Sequence, residues 1–105
     1  MSNAFSDKRT GPRIPIKVPV TVSGQDSSDH LINEQTETLL VNDGGALLAL
    51  AADIPANSRA RITNQQTGAS TEFRVAWRSA ARLNQRWSYG IALLGDPDNF
   101  WNLQN

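Results

Sequence analysis

The sequence contains no cysteine and has only one histidine, one tyrosine and one methionine among its 105 residues. The absence of cysteine excludes disulfides, thiolate nucleophiles and cysteine-ligated zinc, and it leaves the redox compartment open. The longest apolar run covers residues 46–52, far short of the roughly 18 residues that a membrane helix needs. The polar N-terminus also lacks the apolar segment of a signal peptide. We therefore expect a cytoplasmic, metal-free module.

Catalysis finds little support in the remaining side chains. His30, the single histidine, lies in a polar segment, where a surface residue is expected rather than a general base. The serines lack the Gly-x-Ser-x-Gly context of a nucleophile elbow, and the acids show neither metal-ligand spacing nor a glycine-rich phosphate loop nearby. The sequence therefore predicts a protein that is not an enzyme, with no catalytic residue, metal or cofactor.

The formal net charge of zero conceals an uneven distribution. Residues 1–17 carry four cations against one acid, whereas the rest of the chain carries six arginines against nine acids. We predict a flexible basic N-terminal arm over residues 1–13, of which residues 1–4 resemble a tag remnant, followed by a single domain over residues 14–105. A basic arm on a mildly acidic body suggests that the arm meets an anion.

The domain has the pattern of short strands joined by turns. Apolar residues alternate with others from Ile14 to Val22, which predicts a strand with one buried face. Further strands are expected at 36–41, 46–50, 58–64, 72–78 and 87–94, and a polar loop at 24–33. Six antiparallel strands in so short a chain favour a small closed barrel, because closure leaves no unpaired edge. The predicted fold class is all-β.

Turn residues refine this interpretation. Asp43 and Gly44 predict a two-residue type I′ hairpin. Asp96 and Pro97 predict a short C-terminal helical turn, after which Phe100 and Trp101 cover an open end of the sheet.

Alternation also assigns faces within the strands. It places Phe73, Val75 and Trp77 in the core, and Arg74 and Arg78 on the outward face.

Arg9 and Arg13 lie four residues apart, with Gly11 and Pro12 between them. A bend at these two residues brings both guanidinium groups to one side of the chain. Each group offers five donors in a rigid fork, which suits a phosphate, the O6/N7 edge of guanine or a stacked base. A solvated basic tail remains the alternative for this segment taken alone.

Taken with the segment from Leu40 to Ala46, the arm resembles that of the PilZ family, small six-stranded barrels that are bacterial receptors for cyclic di-GMP. That family carries Arg-x-x-x-Arg ahead of its first strand, as Arg9 and Arg13 do here. Its second motif, Asp/Asn-x-Ser-x-x-Gly, closes the turn between the next two strands. The resemblance continues through residues 75–77, 89–91 and 100–101 and so covers nearly the whole chain from Lys8.

The second motif departs from the family pattern. Leu40 stands at the Asp/Asn position and Asn42 at the Ser position, while Gly45 matches. Leu40 cannot make the family's hydrogen bond. Losing one such bond costs about 0.5–1.5 kcal/mol, and more if a polar ligand atom stays unpaired, so affinity falls roughly 3- to 100-fold.

Three functions follow as hypotheses. The resemblance implies a cytoplasmic cyclic di-GMP receptor that binds through Arg9, Arg13, Asn42 and Gly45 and passes the signal to a partner protein or adjoining domain. Ordering residues 8–13 costs on the order of 6–12 kcal/mol, which ligand binding must offset, so the arm is expected to act as an order–disorder switch. The alternative is a ligand-independent interaction module that has lost cyclic di-GMP binding. A non-specific nucleic-acid binder is disfavoured by the zero net charge.

Overall fold

The computed structural model describes residues 13–95 and 99–102, and within them the chain forms a closed barrel of six antiparallel strands. The strand order around the barrel is β1-β2-β3-β6-β5-β4, so β1 and β4 close it. This confirms the all-β, six-stranded barrel predicted from the sequence. The strands are β1 (Pro19–Gln25), β2 (Leu31–Asn42), β3 (Gly45–Leu50), β4 (Arg59–Asn64), β5 (Ser70–Arg78) and β6 (Trp87–Leu93).

The closing seam between β1 and β4 needs a glycine. Val20 pairs with Asn64 and Val22 with Ile62 along this seam. A Cβ atom added at Gly24 would lie 2.9 Å from the Cβ of Ala60, closer than real side chains approach. The backbone of β1 therefore approaches β4 at a distance that only glycine permits.

The barrel interior is filled by apolar side chains from all six strands. Alternate residues of each strand point inward, as the period of two requires. The most deeply buried large side chains include Tyr89, Phe73, Leu48, Leu50, Ile54, Ile62 and Ile91.

The polar loop predicted at residues 24–33 is wrong over half of its length. β1 continues to Gln25 and β2 begins at Leu31, so only residues 26–30 form the loop. Ser23 pairs with Asn33 and Gly24 with Ile32 across the two strands. Backbone hydrogen bonds make this pairing regardless of side-chain polarity, which is why composition mistook it for a loop.

The predicted first strand begins later than expected. Residues 14–18 carry only an isolated bridge, in which Ile14 and Val41 exchange backbone hydrogen bonds of 2.7 and 2.8 Å, and the N–H of Ile16 donates to the carbonyl of Ile14 over 2.8 Å in a tight turn around Pro15. The two prolines at 15 and 19 fit this arrangement, because proline cannot donate to a ladder.

Trp77 is not in the core, contrary to the face assignment made from alternation. Val75 pairs with Ile91 and Trp77 pairs with Gly90, so two steps along β5 match one step along β6. The extra residue is a β-bulge at Ala76, and it turns Trp77 outward, where it is 51% exposed. Phe73 and Val75, which precede the bulge, are fully buried as predicted.

A second bulge lies in β2. Thr38 pairs with Leu48, whereas Leu40 pairs with Leu47, so Leu39 is the extra residue. Val41 consequently enters the core, and Leu40 and Asn42 on either side of it take the outward phase, although Asn42 is itself covered and 3% exposed.

The hairpin predicted at Asp43 and Gly44 is confirmed, but its turn type is wrong. Neither residue has a positive φ, which type I′ requires at both positions. Instead, the Oδ1 atom of Asn42 accepts a hydrogen bond of 3.0 Å from the N–H of Gly44. This side-chain bond holds the turn without positive φ.

The C-terminal segment covers one end of the barrel. The helical turn predicted at Asp96 and Pro97 lies outside the described residues, and residues 99–102 form a hydrogen-bonded turn. Phe100 and Trp101 are 4% and 3% exposed, and the backbone carbonyl of Phe100 accepts a bond of 2.9 Å from the Nδ2 of Asn64. Nothing in the described part of the chain is a helix long and apolar enough to cross a membrane.

Candidate functional site

The structure brings together three of the four predicted ligand-binding residues. Arg9 lies outside the described residues, but Arg13 directly precedes the Ile14–Val41 bridge. Because bridged antiparallel segments run in opposite directions, Arg13 lies alongside Asn42, one residue beyond Val41. The base of the basic arm therefore meets the turn that carries the second motif.

These residues form part of a continuous row across the outer face of the barrel. Asn42 pairs with Gly45, and Gly45 pairs with Ala92 on β6. Ala92 in turn pairs with Arg74 on β5. With Arg13 beside Asn42, the row has a guanidinium at each end and small residues between. At about 4.8 Å per strand spacing, its ends are roughly 19 Å apart along the surface.

The far end of this row holds two arginines directly opposite each other. Arg74 on β5 pairs with Arg59 on β4. Like charges in directly opposed positions destabilise a sheet. Arg74 donates one weak hydrogen bond of 3.3 Å to the Oδ1 of Asn57, which is a neutral acceptor. An anion bound between the two guanidinium groups would relieve their repulsion.

A second, less polar row runs beside the first. From β5 to β2 it consists of Trp77, Gly90, Leu47 and Leu40, each paired with the next. Gly90 presents no side chain beside the half-exposed indole of Trp77, and both leucines are half-buried. We call these two rows, from Arg13 and Leu40 to Arg74 and Trp77, the ligand face, because they are the candidate surface for a ligand. The face combines cations, an exposed aromatic ring and small residues between them.

Asn42 and Gly45 shape this face rather than project from it. Asn42 is 3% exposed, and its Oδ1 already accepts the N–H of Gly44. Gly45 is buried between its partners on β2 and β6. The polar contacts that this face offers at its surface therefore come from the arginines.

Thr38 fastens the segment that precedes β1 to the barrel. Its Oγ1 accepts a hydrogen bond of 2.8 Å from the N–H of Val18 and donates one of 2.9 Å to the carbonyl of Ile16. Both the donor at Val18 and the hydroxyl of Thr38 are buried. This pair of bonds fixes the direction in which the chain leaves the ligand face.

Arg78 belongs to a different part of the molecule. After the bulge it points toward the opposite end of the barrel, where its guanidinium lies 4.2 Å above the centre of the Trp87 ring and forms an ion pair with Asp53. Trp87 is half-buried, and Tyr89 is fully buried. The expectation that Arg78 shares an outward face with Arg74 is therefore wrong.

The groups with altered pKa values also lie away from the ligand face. The N–H groups of His30 and Ser28 donate to the carboxylate of Asp26 and lower its pKa, in the loop between β1 and β2. Burial raises the pKa of the Tyr89 phenol, which donates to the carbonyl of Ala52 and accepts from the N–H of Ile54. The side chain of His30 is 78% exposed.

Candidate metal ligands are dispersed over the described ranges 13–95 and 99–102. No group of three histidine, aspartate or glutamate side chains gathers there in a way that could hold an ion.

Sequence reasoning missed Trp77 on the ligand face and Arg59, which pairs with Arg74 at the edge of that face. The bulge that exposes Trp77 leaves no mark in the alternation of β5. Gly90 was the available signal, because a glycine inside a strand often indicates that another group approaches closely.

Compared with known proteins, the chain matches no protein-family model and no curated protein.

Proposed function

We propose that this chain is a non-enzymatic bacterial domain of PilZ type that binds cyclic di-GMP on the ligand face and relays the signal to a partner protein or an adjoining domain. The observation that carries the proposal is the row of paired residues that joins Arg13, through Asn42, Gly45 and Ala92, to Arg74. The base of the arm and the hairpin of the second motif are adjacent on one surface, as one shared ligand requires.

The chemistry of the face suits a cyclic dinucleotide. Such a ligand has two phosphates, each with one negative charge, and two flat guanine bases. Guanidinium groups bind phosphate through paired, charge-assisted hydrogen bonds. The exposed indole of Trp77 offers a stacking surface, and stacking a base on an aromatic side chain is worth about 1–3 kcal/mol. Gly45, Gly90 and Ala92 add at most a methyl group to this face, so little side-chain bulk projects between the arginines and Trp77.

Leu40 should weaken the cyclic di-GMP binding that we propose. It occupies an outer position beside Leu47, where the family's motif has a hydrogen-bonding side chain. Leu40 instead offers apolar contact with a base. We expect cyclic di-GMP binding weakened by roughly 3- to 100-fold relative to a domain with a polar residue there. We place the protein in the cytoplasm, where receptors of the resembled family meet this ligand.

Calorimetric titration of the purified protein with cyclic di-GMP at near-physiological salt tests the proposal, with cyclic AMP as the ligand control. We expect saturable binding of cyclic di-GMP alone. Arg13→Ala should weaken it at least tenfold, because a charged hydrogen bond contributes about 1.5–3 kcal/mol. Arg82→Ala is the matched control, since Arg82 is exposed and lies in the loop between β5 and β6, away from the ligand face. Trp77→Ala should also weaken binding, and Trp77→Phe should retain most of it.

A ligand-independent interaction module is the second candidate function. It is favoured by Asn42, whose side chain is 3% exposed and already bonded within its own turn. An absence of binding heat up to high-micromolar cyclic di-GMP would support this function and contradict ours. Binding that survives Arg13→Ala would contradict our assignment of the arm. Binding of a nucleic acid whose affinity falls steeply as the salt concentration rises would instead indicate a non-specific nucleic-acid binder.

A further inference from the structure

A groove of about 500 Å³ crosses the outer side of β2, next to the ligand face. Lys17 lines it from the β1 side, and Arg86 lines it from the side of β3 and β6. Glu37 lines the groove from β2, the strand between the segments that carry these two cations, and Leu39 adds an apolar wall that is 47% exposed. The volume lies in the range of small-molecule sites, about 300–1,000 Å³.

The groove exists because β2 and β3 separate after the bulge at Leu39. Their ladder extends from the hairpin only as far as the pair of Thr38 and Leu48. Beyond it, the hydroxyl of Thr36 donates to the backbone carbonyl of Ala49 over 2.9 Å, replacing backbone pairing with a side-chain bond. Arg86 reaches the same hydroxyl, with its Nη1 atom 3.4 Å away. Polar side chains thus join β2 to β3 at this point, and the groove lies above them.

The groove continues the ligand face along the N-terminal segment. Residues 13–17 alternate in exposure: Arg13, Pro15 and Lys17 are exposed, and Ile14 and Ile16 are half-buried. Arg13 and Lys17 therefore both lie on the exposed side of this segment. Four residues at about 3.3 Å each set an upper limit of roughly 13 Å on their separation, which the tight turn around Pro15 shortens. A ligand held at Arg13 can extend into the groove at Lys17.

We propose that this groove holds one guanosine half of cyclic di-GMP, with Lys17 and Arg86 facing its phosphate and Glu37 accepting hydrogen bonds from the guanine edge. This inference rests on the proposed function and deepens it. An acid between two cations is unfavourable for a plain phosphate. It suits guanine, which presents N1–H and N2–H donors side by side to a carboxylate, whereas adenine presents an acceptor at N1. Glu37 is therefore the residue that selects guanine over adenine.

The test compares calorimetric titrations of cyclic di-GMP and cyclic di-AMP into the wild-type protein and single variants. Lys17→Ala and Arg86→Ala should each weaken cyclic di-GMP binding about tenfold, as the loss of one charge-assisted contact does. Glu37→Gln should weaken cyclic di-GMP by a similar factor and leave cyclic di-AMP unchanged or improved, because only guanine donates to the carboxylate. Arg82→Ala, which removes an exposed cation from the same loop as Arg86 but outside the groove, should match the wild type.

Amide chemical shifts of the wild-type protein give a readout that depends on no variant. Saturating cyclic di-GMP should move the signals of residues 35–39, Ala49 and Arg86 together with those of Arg13 and Asn42. Shifts confined to the ligand face, with Lys17→Ala, Arg86→Ala and Glu37→Gln all equal to Arg82→Ala, would overturn the groove and leave the proposed function standing. No binding by the wild-type protein would overturn both.

Discussion

Replacing Trp77 by lysine tests the bulge in β5 directly. The alternation of the sequence places Trp77 in the core, where an unpaired charge would prevent folding. The structure instead turns it outward and leaves it 51% exposed, between the barrel wall and solvent. A tryptophan buries about 150–250 Å² when enclosed, so the half-exposed Trp77 buries roughly half of that area, near 100 Å², and the substitution removes it. At about 25 cal/mol per Å², Trp77→Lys should cost about 2.5 kcal/mol, less the contribution of the area that the lysine stem covers again.

The assay is urea unfolding followed by far-ultraviolet circular dichroism, which does not depend on the tryptophan being replaced. Phe73→Lys is the matched control, because Phe73 lies four residues earlier in the same strand and is fully buried. We expect Trp77→Lys to fold with a lowered unfolding midpoint and Phe73→Lys not to fold. If both variants fail to fold, Trp77 lies in the core and the register of β5 on β6 is wrong.

Two further changes probe buried hydrogen bonds. Thr38→Val keeps the shape of the side chain but leaves the buried N–H of Val18 without its side-chain acceptor. We expect a loss of about 1–3 kcal/mol in the free energy of unfolding and faster amide exchange at Val18. Unchanged amide exchange at Val18 would contradict the role given to Thr38. Tyr89→Phe removes the acceptor of the Ile54 N–H, which should cost about 1–3 kcal/mol near neutral pH by urea unfolding. Because burial raises the pKa of Tyr89 above its usual 10.0, its contribution is complete below pH 10.0 and is lost as the pH rises through the folded-state value. The wild-type protein should therefore lose more stability than Tyr89→Phe between pH 7 and about pH 11, and equal losses would contradict this.

The strands were predictable where one face is apolar and the other polar. Alternation located the core residues of β1 and β6, because a half-buried strand must alternate. It failed at residues 31–35, which pair with β1 through backbone bonds alone and carry mostly polar side chains. Composition reports which residues prefer burial, and it carries no information about a ladder whose side chains are mostly solvated.

The candidate site was predictable only in part. Arg13 and Asn42 were selected by motif resemblance, and the bridge between Ile14 and Val41 then supplied their adjacency. The sequence gives no direct sign that Arg59 and Arg74 oppose each other, because the pairing of β4 with β5 depends on a register that their hairpin sets. It gives equally little sign of the groove at Lys17, which depends on where β2 leaves β3.

The two bulges explain how apolar side chains fill the barrel interior while Leu40 and Trp77 lie on the ligand face. Without the extra residue at Leu39, Leu40 and Asn42 would point inward and Val41 outward, which would place an amide instead of an aliphatic side chain in the apolar interior and remove Asn42 from its bond to the N–H of Gly44. Without the extra residue at Ala76, the indole of Trp77 would enter an interior in which Phe73 is already fully buried, and overpacking of that kind is costly. Each bulge thus removes a conflict from the core.

The same two irregularities determine what the outer surface carries. They lie in β2 and β5, the strands on either side of the β3–β6 pair, and both shift the inward and outward phase by one residue. As a result, Leu40 and Trp77 come to flank the small residues of β3 and β6 on a single face. The same two bulges therefore serve the packing of the interior and decide which side chains lie on the ligand face, and a change that removed either bulge would exchange an outward side chain for an inward one.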